Sequence, residues 1–387
     1  MNTQMHSHQT NDSLAVMLVG AVLLSHVAML LSLSIGLVAM ERICSYAILL
    51  LSIGIYLYSY IKNPCMSKQD VVLIFIVFYL FMLAIADSWR YDDVKVVLVF
   101  LSMLTVWRGA RTVICNKKIE KMLLYSFSAQ ALILIILYFT PLAYKSYQEY
   151  VLVSSELTLG FSNPNQTGII IFSTLAILLI MIRRCMVSKI QKAILWLQIF
   201  GLSFLLILTD ARTSILGYLF FWIFYLKKKK TKINSLVSDT IICFPIIFVY
   251  LYDALSKTNL QNVTFWGKKL FSGRQRVYEE VLSMFSNKLF GNLSYFDFQN
   301  SHNALLTVLI NTGIVGLFLY LVFTIMSFNS FNRDCNTPGG FISMVAILAL
   351  FIMGCTETAV LTGGTIYYVY MFVILLLSNN SFQRKDI

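Results

Sequence analysis

Two arginines of this sequence lie in the first turns of predicted helices, where a cation is electrostatically disfavoured. Arg212 comes two residues after Asp210, a plausible N-cap, and Arg274 comes two residues after Ser272, which has capping-box spacing with Gln275. The N-terminus of a helix is the positive end of its dipole, so an anion bound there would stabilise both arginines. For Arg274, simple extension of the side chain toward water is the alternative interpretation.

The helix that begins near Arg274 is predicted to be amphipathic. Residues three, four and seven apart share a face, which aligns Arg274 with Tyr278, Val281 and Phe285 on the apolar side. Arg276 lines up instead with Glu280, Ser283 and Asn287 on the side that faces water, where it is explained as an exposed charge beside Glu280. The helical register therefore puts Arg274 on the apolar face and Arg276 on the polar face.

Two further segments open predicted membrane spans. In the first segment, Asn163 is a candidate cap and Pro164 suits the first helical position, with Asn165 following. In the second segment, His302 and Asn303 precede an apolar run. Helix N-termini present free backbone N–H groups, which bind anions. Together with the two arginines, these helix starts predict a diphosphate-binding site at the outer face, just above the hydrocarbon core of the bilayer. For Asn163, Pro164 and Asn165, ordinary capping remains an equal alternative.

His302 is the only one of the four histidines in a predicted outer loop. Its ordinary pKa near neutrality suits removal of a proton from an attacking hydroxyl group. The alternative is a hydrogen-bonded structural residue at the membrane interface.

The composition predicts the elements that must hold these residues. Of 387 residues, 58% are apolar and only 12% are charged, whereas soluble domains carry about 25% charged residues. Apolar runs of bilayer-spanning length recur throughout. We therefore expect an all-α polytopic membrane protein with one integral membrane domain, residues 1–387, whose first apolar run is a span and not a cleaved signal. The predicted spans lie near 14–39, 44–61, 71–87, 93–107, 122–140, 166–182, 193–208, 212–226, 238–254, 304–327, 340–356 and 364–378.

The distribution of basic residues predicts the orientation. The net charge of +12 arises mainly from one alternate set of loops, which holds 19 Lys and Arg residues against five in the short loops of the other set. The positive-inside rule then puts both termini in the cytoplasm and the long loop 255–303 on the outer face. This pattern is typical of a membrane protein and argues against a nucleic-acid partner.

Other classes of function have less support. The seven cysteines are scattered without a CxxC pair, so they predict neither a metal site nor a disulfide framework. Acidic residues are nearly absent from span interiors, whereas ion-coupled transporters keep acidic relays there. We expect no metal and no cofactor.

Four segments, in order, resemble the O-antigen polymerase and O-antigen ligase superfamily. The segment 161–168 is similar to its Asn-Pro-Asn box, and 208–214 to its arginine-bearing segment. The segments 272–274 and 289–292 resemble the Gly-Arg and Leu-Phe-Gly pair of its large periplasmic loop, although Asn292 stands where a second glycine often follows. The segments 301–306 and 313–317 resemble its His-Asn and Gly-x-x-Gly signature. The resemblance covers roughly residues 155–325.

The resemblance implies a metal-independent glycosyltransferase of the cytoplasmic membrane whose donor is a glycan on undecaprenyl diphosphate. Arg212 and Arg274 would hold the diphosphate, and His302 would orient or deprotonate the acceptor hydroxyl. The candidate substrate-binding residues are Asn163, Asn165, Arg276 and Asn303. The implied partners are lipid-linked oligosaccharides and the lipid bilayer, while a chain-length regulator protein is left open as a further partner.

Three functions follow as alternatives. A polymerase transfers the growing glycan to another lipid-linked repeat unit, making O-antigen or capsule. A ligase transfers the finished glycan to lipid A–core or another final acceptor. A flippase for lipid-linked sugars belongs to a different class and would need a cationic cavity within the spans. We favour the polymerase because genomes encode many repeat-unit polymerases and few ligases.

Overall fold

The computed structural model describes most of the chain as a bundle of helices. The described residues are 13–86, 91–144, 156–161, 163–184, 187–227, 232–258, 260, 263–265, 268–269, 274–284, 289–291, 301–335, 337–358 and 365–378. The helices are α1 (Ser13–Ile35), α2 (Val38–Lys62), α3 (Lys68–Ala86), α4 (Tyr91–Thr112), α5 (Lys117–Tyr138), α6 (Pro164–Arg184), α7 (Lys189–Leu208), α8 (Arg212–Tyr225), α9 (Ser235–Ser256), α10 (Arg274–Met284), α11 (Ala304–Asp334), α12 (Pro338–Met353) and α13 (Thr365–Ser378). An antiparallel pair of two-residue strands, β1 (Thr264–Phe265) and β2 (Lys268–Lys269), precedes α10.

Each predicted span overlaps one of these helices. Among the described residues, eight helices are long and apolar enough to cross a membrane, namely α1, α2, α3, α5, α6, α7, α9 and α11. Helices α12 and α13 are apolar but shorter, at 16 and 14 residues. The helical, multi-pass character predicted from composition is therefore confirmed, with one short strand pair as the exception.

The bundle has a buried centre and a lipid-facing surface. Helices α6, α12 and α13 bury nearly all of their described side chains and pack against one another. The surrounding helices leave large apolar side chains exposed, such as Leu24 at 73% and Phe200 at 76%. Exposing so many apolar side chains to water would be costly, whereas contact with lipid is favourable for them.

The predicted boundary between the first two spans is wrong. The first span was expected to continue to residue 39, but α1 ends at Ile35 and α2 begins at Val38. Gly36 adopts a left-handed conformation with φ of 77°, which ends the helix without a steric penalty. The chain therefore turns back within two residues, and α2 packs along α1.

The connection from α9 to α11 docks onto a break in α11. Gly313 has non-helical angles (φ 66°, ψ −174°) inside that helix. Leu289 accepts a hydrogen bond from the backbone N–H of Val315 (3.2 Å), and the Tyr79 hydroxyl reaches the carbonyls of Phe290 (3.1 Å) and Thr312 (2.6 Å). The Leu-Phe-Gly segment thus lies against the backbone of α11.

Replacing Gly313 with alanine should undo this docking. The added Cβ would lie 2.3 Å from the Leu289 oxygen and 2.5 Å from the Gly291 nitrogen. The strained φ alone costs roughly 1–3 kcal/mol. We expect a lower midpoint of thermal unfolding in detergent, measured by circular dichroism.

The matched control is Gly54→Ala in α2, where an added Cβ meets only Leu18 at 3.7 Å. Gly54→Ala should leave the midpoint unchanged or raise it, because alanine favours helix interiors. Equal midpoints for the two variants would contradict the docking described above.

Candidate functional site

A short turn after α12 is the point where the separated sequence segments meet. We call residues 354–358 the α12 turn. The carbonyl of Gly354 accepts a hydrogen bond from the N–H of Ala304, the first residue of α11 (2.9 Å). The Thr356 hydroxyl donates to the Thr213 hydroxyl in the first turn of α8 (2.8 Å). The turn therefore joins the starts of two helices that carry candidate residues.

The loop helix α10 reaches the same turn. The buried Tyr278 donates from its hydroxyl to the Cys355 carbonyl (3.3 Å) and packs edge-on against Tyr252 of α9. Val281 packs against the buried apolar cluster that contains Tyr252 and Tyr278, whereas Arg276 is exposed. The predicted amphipathic register is confirmed at these positions. Ser272 and Phe285, which were assigned to its cap and stripe, lie outside the described residues.

Asn303 is a buried cap that ties three elements together. Its side-chain oxygen accepts from the N–H of Leu306 (2.9 Å) at the start of α11. Its amide nitrogen donates to the carbonyls of Pro245 (2.7 Å) and Cys355 (3.0 Å). Both amide hydrogens are therefore used within the protein, and a contact between them and a substrate would require breaking one of these bonds.

Arg274 and Glu357 form an ion pair at this turn. The guanidinium Nη2 lies 3.6 Å from Glu357 Oε1, and the two side chains are 20% and 14% exposed. That oxygen is buried and accepts no hydrogen bond from the described residues. Arg274 thus faces an anion, as its position predicted, but the anion in this structure is a carboxylate of the protein itself.

The start of α6 supplies a further partner. Asn163 caps the helix by accepting from the N–H of Gln166 (2.8 Å), and Pro164 is its first residue, as predicted. Asn165, the second residue of α6, interacts through its side chain with the carboxylate of Glu357. Of the two asparagines, Asn165 is therefore the one that acts on the ion pair.

The start of α8 differs from the prediction. Asp210 was expected to cap the helix, but the capping position is Ala211, which provides no side-chain hydrogen bond. Asp210 has φ of 50°, a left-handed turn conformation reached immediately after α7 ends. Arg212 is the first residue of α8 and is half-buried, next in sequence to Thr213, which bonds to the α12 turn.

Burial shifts the protonation of two groups near Arg274. The pKa of Glu357 is raised to about 7 because burial disfavours its charged form, even though the charge of Arg274 and the side-chain amide of Asn165 oppose this shift. The pKa of His302 is lowered by burial and by the positive charge of Arg274. Near neutral pH, His302 is therefore a neutral imidazole that can accept a proton.

Sequence reasoning missed Glu357. The available signal was its isolation, because it is the single acidic residue between Asp334 and Asp386. An isolated carboxylate among apolar spans is costly unless it is paired. Within the described ranges, no group of three or more His, Cys, Asp or Glu side chains is placed to hold a metal ion.

Comparison with known proteins adds no assignment. No protein-family model matches the sequence, and no curated protein matches it.

The hydrogen bonds of Asn303 to Leu306, Pro245 and Cys355, called here the Asn303 network, lead to a prediction about stability. Asn303→Ala removes a helix cap, which costs about 1 kcal/mol, and removes two hydrogen bonds to the carbonyls of Pro245 and Cys355, worth about 0.5–1.5 kcal/mol each. Asn163→Ala removes only an exposed cap. In thermal unfolding in detergent, Asn303→Ala should therefore lower the midpoint severalfold more than Asn163→Ala. A smaller shift for Asn303→Ala would show that this network does not hold the segments together.

Proposed function

We propose that this protein transfers a glycan from a polyprenyl diphosphate donor to a second lipid-linked acceptor, as a repeat-unit polymerase of the cytoplasmic membrane. The observation that carries the proposal is the meeting of Arg274, Asn165 and neutral His302 beside the α12 turn. These residues come from three segments that each resemble a part of the O-antigen polymerase and ligase superfamily. A lipid-linked donor also explains why the catalytic groups belong to a membrane protein.

Charge on the leaving diphosphate determines the roles of the arginines. As the bond between the anomeric carbon and the donor oxygen breaks, negative charge grows on the diphosphate. Arg274 and Arg212 would stabilise that charge, together with free N–H groups at the starts of α6 and α8. No metal ion is needed for this stabilisation.

His302 is suited to act on the acceptor. Its lowered pKa keeps the imidazole neutral, so it can accept the proton of the attacking hydroxyl near neutral pH. A single in-line displacement would then invert the configuration at the anomeric carbon. The left-handed backbone at His302, with φ of 47°, is the kind of strained conformation that persists at functional positions.

The two ends of the bundle support the proposed orientation. Opposite the α12 turn, Arg108 pairs with Asp70, Arg111 with Asp334, and Arg184 with Glu120. The positive-inside rule favours this basic end in the cytoplasm. The α12 turn would then face outward, in a protein of about twelve spans with both termini inside.

The test is the surface-glycan ladder of a deletion strain complemented with variants. Loss of one stabilising cation at a developing oxyanion costs about 10²–10³-fold in rate. Arg274→Ala and Arg212→Ala should therefore abolish long chains at normal protein levels. Lys257→Ala, which removes an exposed lysine paired with Asp253, is the control and should restore the ladder.

The pattern of the deletion strain identifies the reaction. Acceptors capped with a single repeat unit indicate a polymerase. Bare acceptors with long chains left on the lipid carrier indicate the ligase. A normal ladder in the deletion strain, or in Arg274→Ala, would contradict the proposal.

A further inference from the structure

Glu357 occupies the position that an anionic ligand of Arg274 would take. It is the anion that faces Arg274 among the described residues, and its Oε1 is buried without a hydrogen-bond donor. Buried carboxylate oxygens normally accept hydrogen bonds, so an unsatisfied one at a ligand site calls for an explanation. The distance of 3.6 Å from the guanidinium leaves the pair in electrostatic contact without a hydrogen bond.

A diphosphate and a charged Glu357 cannot both lie beside Arg274 without strong repulsion. Two like charges in one poorly solvated site raise the free energy of the doubly charged state, and a proton on one of them relieves it. The donor phosphates are both esterified, so their pKa values are far below neutrality. The proton must therefore go to the carboxylate.

We propose, building on the function proposed above, that Glu357 is the counter-ion of Arg274 in the empty site and becomes protonated when the donor diphosphate binds. The carboxylate takes one proton from solvent and becomes a neutral carboxylic acid, and no covalent bond of the donor changes. Arg274 then faces the diphosphate alone, while the new O–H group can donate a hydrogen bond. Donor binding is thus coupled to proton uptake.

The groups around Glu357 identify it as the one that titrates. Arg274 and Tyr278 face it from α10, Asn165 from α6 and Tyr367 from α13. Beside Arg274, His302 precedes α11 and is already neutral, because its pKa is lowered. The pKa of Glu357 in the empty site is about 7, so its carboxylate is about half charged at neutral pH and nearly fully charged at pH 8.5.

The sign of the pH dependence follows from linkage. A bound anion raises the pKa of Glu357 above its value in the empty site, so the complex holds more protons than the free protein. Donor affinity therefore falls as pH rises above about 7, by at most about tenfold per pH unit for one proton. Below pH 6 the carboxylic acid is already protonated, and the affinity becomes independent of this group.

The experiment is calorimetric titration of the full-length protein in nanodiscs with a short-chain prenyl diphosphate that carries a sugar on its second phosphate. Each phosphate carries one ester bond and shares the anhydride oxygen, so it keeps only one strongly acidic hydroxyl and the probe does not titrate between pH 6 and 9. Measurements at each pH in buffers of different ionisation enthalpy give the number of protons taken up. We expect about half a proton at pH 7 and nearly one at pH 8.5.

Two variants assign the proton. Glu357→Gln is isosteric and neutral, so it should bind the probe more tightly at pH 8.5, with no proton uptake and a flat pH profile. Glu279→Gln removes an exposed carboxylate from α10 that is bonded to Gln275, and it should behave like the natural protein. If Glu357→Gln does not fold, the natural protein alone tests the assignment, because proton uptake on binding should rise between pH 7 and pH 8.5 if Glu357 takes up the proton. A histidine with a lowered pKa would instead give uptake that declines over that range.

The outcomes separate the two proposals. Binding without proton uptake, or uptake that persists in Glu357→Gln, would overturn the role of Glu357 and leave the diphosphate site standing. If neither the natural protein nor Glu279→Gln binds the probe, the proposed function is overturned, and the proposed coupling to proton uptake is overturned with it.

Discussion

Polar groups at helix ends have few partners in a membrane protein, because lipid offers no hydrogen bonds. The α12 turn satisfies this constraint for several elements at once. Its Gly354 and Cys355 carbonyls accept bonds from Ala304, Asn303 and Tyr278, and its Thr356 hydroxyl binds Thr213. The starts of α8 and α11 and one face of α10 are positioned by the same five residues. The candidate site exists because these helix ends converge there.

The same constraint explains the chemistry of the site. Burial that forces backbone groups to pair also weakens the solvation of charged side chains, so Arg274 and Glu357 are held together. Burial moves the pKa of Glu357 up and the pKa of His302 down, bringing both toward protonation states useful near neutral pH. A cation with a replaceable counter-ion and a neutral base are what the proposed transfer from a diphosphate donor would use.

Local features of the fold were predictable from the sequence, while long-range ones were not. The cap at Asn163 depends on neighbouring residues alone, and the structure confirms it. The cap assigned to Asp210 was wrong because the turn after α7 holds its backbone in the left-handed region. Glu357 is 83 residues from Arg274 in the chain, so only the packing of α12 against its neighbours brings the two side chains together.

The most direct test of this account is a structure by electron cryomicroscopy, with the protein in nanodiscs, bound to an antibody fragment and to a non-reactive prenyl diphosphate–sugar analogue. We predict density for the diphosphate at the α12 turn, in contact with the Arg274 guanidinium and close to Arg212. Glu357 should no longer contact the guanidinium group. A diphosphate bound at the opposite, basic end of the bundle, with the Arg274–Glu357 pair unchanged, would contradict the account.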